Sequence, residues 1–526
     1  MVRSLFNNLS SITNWLCASF PSFPVKADQI SVLYKPDEYY ETLIDLCSQA
    51  NRRILLVSLY LGTGEKEKKL VNIIQSRARE QCSTIKIKIL LDAMRGSRGS
   101  INSSRTMLLP LLQQSPHCQV ALFHTPKLKG ILRSLLPPRY NELIGLLHMK
   151  ICVIDNNVII SGANLSNIYF SNRQDRYILV KNCEPLANFF DGLIKIFCDL
   201  SFQLNDSNSI TFPYTAFHPY KESTNVYVTE LKNQILNYYS SFISYNKNVN
   251  ENDTWIFPTI EVPPCDIHID SELTKNIIDS VPENAVIHLA SGYFNLTEEL
   301  VDAILLSKAK INLLMAHPTT NGFYQSSGFS RYIPSLYTAI SKEFYDKIKK
   351  NFQQDRIKSF EYIRKDWTFH GKGIWITFPG ETLPQLTVIG SSNFGFRSKQ
   401  RDLESQIVIV TNNKNLKERL FKEQQQLFEY GVLLSDSVFL ETKRKIPFWS
   451  YKVTNLFRKR LIGVACKNLD ELKLKGCQKL QLEADIKHIK VVLGDGTIVD
   501  DDSYFKTLPS QSIVILLKPG EKIVTG

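Results

Sequence analysis

Nowhere in its 526 residues does the chain hold an apolar run of the 18 or so residues that a bilayer-spanning helix needs. Any membrane contact is therefore expected to be peripheral. Among ten cysteines there is no C-x-x-C pair, and none clusters with histidine at metal-ligand spacing. They read as reduced, mostly buried thiols, and neither a metal nor another cofactor is called for. Acidic residues are missing before Asp28, while Arg3, Lys26 and many Ser and apolar residues are present. Residues 1–27 thus read as a mitochondrial targeting segment rather than a secretory one.

What is present suits a folded protein of several domains. Hydrophobic residues make up 43% and charged residues 22%, far from the composition of a disordered chain. The length exceeds one ordinary core, so two or three domains are expected. A net charge of +12 asks for an anionic partner. Charge alone leaves nucleic acid, a phosphorylated small molecule and an anionic bilayer open.

Periodicity gives an α/β rhythm. A helix is expected over Tyr39–Ala50, and strands over Arg53–Tyr60, Thr84–Leu91, Lys150–Ile160 and Tyr177–Val180. A second unit repeats the style, with strands at Val286–Ala290, Ile311–Met315 and Gln406–Val410 and helices at Glu298–Ala309 and Leu336–Asn351. The similar surroundings of His148 and His370 point to internal duplication, with a seam near Asn246–Asp253.

The duplicated element carries the chemistry. His148, Lys150 and Asp155 form His-x-Lys-x4-Asp, followed by Gly162-Ala163-Asn164. His370 and Lys372 are followed by Gly390-Ser391-Ser392-Asn393, but Thr377 stands where a second Asp would fall. About one His-x-basic pair is expected by chance, and His488-x-Lys490, with no such downstream element, is that accident. A phosphodiester repels anionic nucleophiles, so attack at phosphorus needs cations on its free oxygens and an uncharged nucleophile. Two lysines and one neutral imidazole meet that need. A second imidazole, protonated, serves as acid and then as base.

This constellation resembles the phospholipase D superfamily. The resemblance implies two α/β sandwich domains related by a pseudo-twofold duplication, at residues 28–245 and 254–440, sharing one metal-independent site. It makes His148 the nucleophile and His370 the acid and base, with Asp175 and Glu404 as orienting acids. It adds Lys150, Asp155 and Lys372 to the catalytic set and Asn164, Ser391 and Asn393 to the substrate-binding set. Longer runs, 27–34 (ADQISVLY), 91–99 (LDAMRGSRG), 125–142 (TPKLKGILRSLLPPRYNE), 161–177 (SGANLSNIYFSNRQDRY), 290–295 (ASGYFN), 316–324 (AHPTTNGFY), 369–375 and 389–406, resemble the eukaryotic phosphatidylglycerophosphate synthase family. That implies CDP-diacylglycerol and glycerol 3-phosphate as substrates, at the mitochondrial inner membrane. Arg95 and Arg98 could cradle a phosphate, and Arg173, Arg176, Arg397 and Arg401 offer further cations. Cations mixed with leucines over 125–140 suit peripheral contact with an anionic membrane.

Past Lys443 the pattern changes. Seven basic residues without an acid lead from 443 to 460, and residues 450–526 alternate as a small α+β domain ending in an acidic cluster, Asp500–Asp502, and a last strand at Ile513–Leu517. The runs 451–455 (YKVTN), 494–509 and 513–522 resemble the ubiquitin-like CIDE-N domain. Self-association, or a partner bearing the same module, is what that resemblance implies. A nuclease or phosphodiesterase of the same superfamily, or an oligomerising scaffold with a dead site, remain as alternatives.

Overall fold

The computed structural model describes residues 8–80, 84–99, 101–130, 142, 144–221, 223–243, 253–326, 328–441, 444, 449–456, 462–466, 468–493, 496–508 and 512–521. The chain divides into two compact units, Met1–Ser326 with Tyr337–Val438, and Ser327–Leu336 with Phe439–Gly526.

In the larger unit the strands before residue 253 are β1 (Phe23–Val25), β2 (Ile30–Leu33), β3 (Arg53–Ser58), β4 (Lys86–Asp92), β5 (Cys118–Phe123), β6 (Ile151–Ile154), β7 (Asn157–Ser161), β8 (Arg173–Gln174), β9 (Tyr177–Val180), β10 (Phe202–Leu204) and β11 (Ile210–Thr211). Those after it are β12 (Thr254–Glu261), β13 (Val286–Ser291), β14 (Lys310–Ala316), β15 (Ile357–Tyr362), β16 (Thr368–Phe369), β17 (Lys372–Thr377), β18 (Leu386–Gly390), β19 (Glu404–Thr411) and β20 (Gly431–Leu433).

One sheet runs β2-β9-β7-β6-β3-β4-β5-β10-β11 and the other β1-β12-β19-β18-β17-β13-β14-β15-β20. From β2 in the first and β12 in the second, eight successive positions correspond. In each, three neighbouring strands are parallel and the remaining pairs antiparallel. The duplication expected from the two motifs is therefore written in the strand order. β3 and β19 are buried along their whole length, because both sheet faces are covered, and their central residues 54–57 and 407–410 are continuous apolar runs.

A single core holds the two sheets together. Leu55, Val153 and Ile178 of the first sheet share it with Ile256, Trp375 and Ile407 of the second, and Phe189, Phe190 and Phe197 on the helix Glu184–Asp199 join them. A separate core under Tyr39, Leu70, Ile74 and Leu111 covers the outer face of the first sheet.

Several expectations meet a different structure. The run Lys150–Ile160 is a hairpin, turned at Asp155, whose φ of 51° is in the left-handed region. Residues 8–27 are folded: Asn8 caps the helix Leu9–Ser19, Ile12 and Leu16 are fully buried, and β1 pairs with β12. Removing all of 1–27 would strip a strand from the second sheet. Most of 125–140 lies outside the described residues. Within the described part, Leu128 is buried, while Lys127 is exposed and its ammonium donates to the carbonyl of Gln400 (2.7 Å).

The smaller unit is a five-stranded sheet of β21 (Trp449–Asn455), β22 (Ile462–Cys466), β23 (Lys490–Leu493), β24 (Ile498–Val499) and β25 (Ile513–Leu517), in the order β22-β21-β25-β23-β24. The helix Leu469–Leu480 packs Leu472 and Cys477 against Val453, Val464 and Val514. Of the expected basic run, residues 443, 445 and 458–460 lie outside the described residues. In the acidic cluster, Asp502 accepts from the amide of Leu469 and Asp501 from that of Tyr504, both at 2.8 Å.

Candidate active site

Each His-x-Lys motif sits where a loop enters a central strand, and each loop is bound to the opposite half. The His148 amide donates to the carbonyl of Leu403, and the Leu403 amide to that of Leu146, both at 2.8 Å. His148 Nδ1 lies 2.8 Å from Glu404 Oε2. With the halves exchanged, the His370 amide donates to the carbonyl of Gln174 (2.8 Å), and His370 Nδ1 lies 2.6 Å from Asp175 Oδ2. The short strands β8 and β16 pair beside it. Both imidazoles are thus oriented by an acid from the other half of the duplication, which leaves Nε2 of each for chemistry.

The ammonium groups turn back onto their own loops. Lys150 Nζ donates to the His148 carbonyl (2.6 Å), and Lys372 Nζ to the His370 carbonyl. Gly162 shows how tightly the halves meet. A Cβ there would lie 2.7 Å from Lys372 Nζ and 2.6 Å from Asp175 Oδ1, so the first half's glycine motif touches the second half's lysine. His148 keeps 13% of its side chain exposed against 3% for His370. The first imidazole is the more accessible.

Burial and crowding of cations set the protonation states. Burial pushes the His148 imidazole down, and Lys150 adds to this against the opposing pull of Glu404, so the ring is neutral near pH 7. The His370 ring is pushed well below its ordinary range by burial, then by Lys372, Arg173 and Lys150. Lys150 is pushed down to about 7 by burial, with Lys372 adding to it. Although burial opposes it, His148 and Lys150 hold Glu404 below the usual carboxylate range. The cleft groups are therefore short of protons that an anion would restore.

This has a measurable sign. Binding of sulfate, which does not titrate between pH 6 and 9, takes up protons, because the anion raises the depressed Lys150 and His370 groups. Affinity is then highest below about pH 7, where Lys150 is already charged in the free protein, and falls as pH rises above it. Calorimetry in buffers of different ionisation enthalpy measures the uptake. Lys150→Met is expected to remove its largest part.

The other anticipated residues divide into those in the cleft and those outside it. Asp155, expected in the catalytic set, does not reach the cleft. It lies at the far end of β6 from Lys150, and its carboxylate accepts from the amides of Asn51, Arg52 and Arg53 at 2.9, 2.7 and 3.0 Å. It pins a turn, and Thr377 stands at the matching end of β17. Ser391 Oγ bridges to Ser405, accepting from its amide (3.1 Å). Asn164 and Asn393 are alike in carrying a buried Oδ1 with no partner among the described residues.

Arg98 pairs with Glu142, from which Arg95 stands 3.9 Å while lying 4.7 Å over the Tyr60 ring. Arg397 is paired with Asp402 (3.0 Å), and Arg401 lies 5.4 Å over the Phe396 ring. Arg176 is entirely committed between the halves, to Glu423, Thr387 and Val388, and offers nothing to a ligand.

Three cleft residues carry no motif signature. Tyr169 places its hydroxyl 3.3 Å from His370 Nε2, and the Tyr293 ring stands edge-on 5.4 Å from the His370 ring. Ser398 donates to Glu404 Oε1 (2.8 Å) and accepts from the Asn393 amide (3.2 Å), so one hydroxyl fixes both the acid and the asparagine loop.

Two matching sheets whose His-x-Lys loops exchange their orienting acids make the plan of a phospholipase D-type phosphotransferase. Residues 43–195 match the family described as cardiolipin synthase, PLD-like domain, and residues 449–524 match the CIDE-N domain. The chain is 39% identical over 473 residues to the mitochondrial CDP-diacylglycerol--glycerol-3-phosphate 3-phosphatidyltransferase of Bos taurus, covering 84% of this chain and 85% of that one. It is 32% identical to the Schizosaccharomyces pombe protein of the same enzyme name, covering 87% and 99%. In fold it is similar to phosphatidylserine synthase of Haemophilus influenzae, with a TM-score of 0.61 at 20% identity over 81% of this chain and 92% of that one. The chain belongs to the family of CDP-diacylglycerol--glycerol-3-phosphate 3-phosphatidyltransferases.

Proposed function

We propose that this protein transfers the phosphatidyl group of CDP-diacylglycerol to glycerol 3-phosphate by two displacements at phosphorus. His148, neutral and aimed by Glu404, attacks with Nε2. A nitrogen-phosphorus bond forms as the bond from phosphorus to the bridging oxygen of CMP breaks. His370 gives that oxygen its proton. It then takes the proton of an acceptor hydroxyl, whose oxygen displaces His148 and yields phosphatidylglycerophosphate. Lys150 and Lys372 neutralise the non-bridging oxygens, with Asn164 and Asn393 as neutral partners beside them.

His370 is held unprotonated by burial and by Lys372, Arg173 and Lys150. A bound pyrophosphate offsets those cations, so substrate binding itself charges the acid. The exchanged orienting acids support this reading most directly, since each histidine is held at the seam by an acid of the opposite half. We further assign 28–245 and 254–440 as the two catalytic domains and 450–526 as an interaction module, for self-association or for a partner with the same module. Relatives named mitochondrial support that compartment, and the lipid donor supports a peripheral place on the inner membrane. Among the described residues no helix is long and apolar enough to cross a membrane.

The test uses the purified full chain with CDP-diacylglycerol. CMP release is expected to depend on glycerol 3-phosphate and to be unchanged by EDTA, because lysines supply the positive charge. Digestion of DNA without CMP release would instead establish a nuclease.

A further inference from the structure

Arg173 stands apart from the other arginines of the cleft. Arg98, Arg176 and Arg397 each face a carboxylate, at Glu142, Glu423 and Asp402. No carboxylate among the described residues pairs with Arg173. Its Nε donates to Thr368 Oγ1 (3.0 Å), and its guanidinium carbon lies 4.7 Å over the Tyr169 ring. That aims the remaining N–H groups instead of neutralising them.

The direction they face follows from Gly322. A Cβ there would lie 2.9 Å from Arg173 Nη2 and 2.6 Å from the Tyr293 hydroxyl, so the fork and the hydroxyl converge beside one bare backbone position. The Tyr169 and Tyr293 rings stand edge-on to His370 at 5.1 and 5.4 Å, and the Tyr169 hydroxyl is 3.3 Å from its Nε2. Arg173 therefore lies on the Nε2 side of His370, away from Asp175. Under the proposed reaction this is the side by which the leaving group departs and the acceptor enters. A guanidinium fork, partly buried, fixed by a hydroxyl and an aromatic face and lacking an acid, is built for a phosphate.

We infer that Arg173 is a substrate-binding residue for a phosphate on this exit side: the phosphate that leaves with the nucleotide, the phosphate of the incoming acceptor, or both in turn. Lys150 and Lys372 then serve the phosphorus being transferred, and Arg173 the phosphate beyond it. This inference rests on the proposed reaction for its direction. Its chemistry requires only a phosphate next to the leaving or entering oxygen.

The experiment compares donors and acceptors in the full chain. CDP-diacylglycerol carries a second phosphate, whereas the p-nitrophenyl ester of phosphatidic acid carries only the one transferred. Glycerol 3-phosphate and glycerol differ in the same way as acceptors. Arg173→Met is expected to lower kcat/KM roughly a hundredfold with a phosphate-bearing partner and only a few-fold with its counterpart. Selective loss with CDP-diacylglycerol assigns the nucleotide phosphate, and selective loss with glycerol 3-phosphate assigns the acceptor's. Gly322→Ala, which puts a methyl where fork and hydroxyl meet, should reproduce the same selectivity without touching the charge. Equal losses in all four pairings, or none, overturn the inference. Wild-type protein inert toward CDP-diacylglycerol but active on the ester would sink the assigned reaction, while the acceptor pair would still decide the role of Arg173.

Discussion

His148→Ala is expected to abolish formation of the covalent intermediate, lowering CMP release by about 10⁴-fold or more, whereas His370→Ala leaves the first displacement intact for a donor that needs no acid. The difference lies in what each ring touches. His148 Nδ1 is occupied by Glu404, and its Nε2, on the more exposed ring, is free to attack. His370 sits deeper, with Asp175 on one nitrogen and the Tyr169 hydroxyl and Arg173 on the side of the other. A p-nitrophenolate leaves without a proton. His370→Ala protein given the p-nitrophenyl ester should therefore show a burst of one equivalent and then stall, since nothing activates the acceptor. His148→Ala should show no burst. Rapid-quench or stopped-flow absorbance reads both, and a burst from His148→Ala that is absent from His370→Ala would exchange the two roles.

The histidine pair was legible in the sequence because the proposed chemistry demands residue types at fixed spacing, and duplication supplied the control. Asp175 and Glu404 could be named as orienting acids, but not that they cross. Sequence proximity favours each acid serving its own half, and it takes the contacts of His148 with Glu404 and of His370 with Asp175, beside the paired backbones of Leu146 with Leu403 and of His370 with Gln174, to show otherwise. Asp155 misled for a related reason. A short spacing to Lys150 says nothing about direction, and the extended β6 between them carries the carboxylate to the opposite end of the sheet.

Strands were read well where alternation or an apolar run was unbroken, as at β4 and β14. β12 was not: Pro258 interrupts the sequence Thr254–Glu261. The strand tolerates it because β1 covers only Thr254 to Ile256, so from residue 257 onward no strand among the described residues pairs on that side and a missing N–H is cheap. Tyr169, Tyr293 and Arg173 lay within runs that marked the family, yet their convergence on His370 joins three loops distant in sequence. No spacing encodes that.

The largest structural effect is expected at Arg176, one residue from Asp175. Its guanidinium donates to both Glu423 oxygens (2.9 and 2.8 Å), to the Val388 carbonyl and to Thr387 Oγ1, and lies 3.7 Å from the Trp375 ring centre. It is first-half side chain inserted into second-half structure. Gly373, at φ 144°, makes the insertion feasible, since a Cβ there would lie 1.9 Å from Arg176 Nη1. Arg176→Met would leave the Glu423 carboxylate buried, with the Trp375 indole N–H (3.0 Å) as its remaining donor among these contacts. Breaking such a pair from one side costs about 3–5 kcal/mol, because the surviving charge stays uncompensated. The melting temperature of the larger unit should fall by roughly 3–6 °C. Adding Glu423→Gln should recover part of that loss, since the double variant buries no lone charge. Activity at a temperature where Arg176→Met is folded should also fall, because the Arg176 amide donates to Asp175 Oδ1 (2.8 Å) and the same backbone aims the acid at His370. A change in melting temperature of under about 1 °C would mean that water or another cation reaches Glu423, and that the halves are not pinned here.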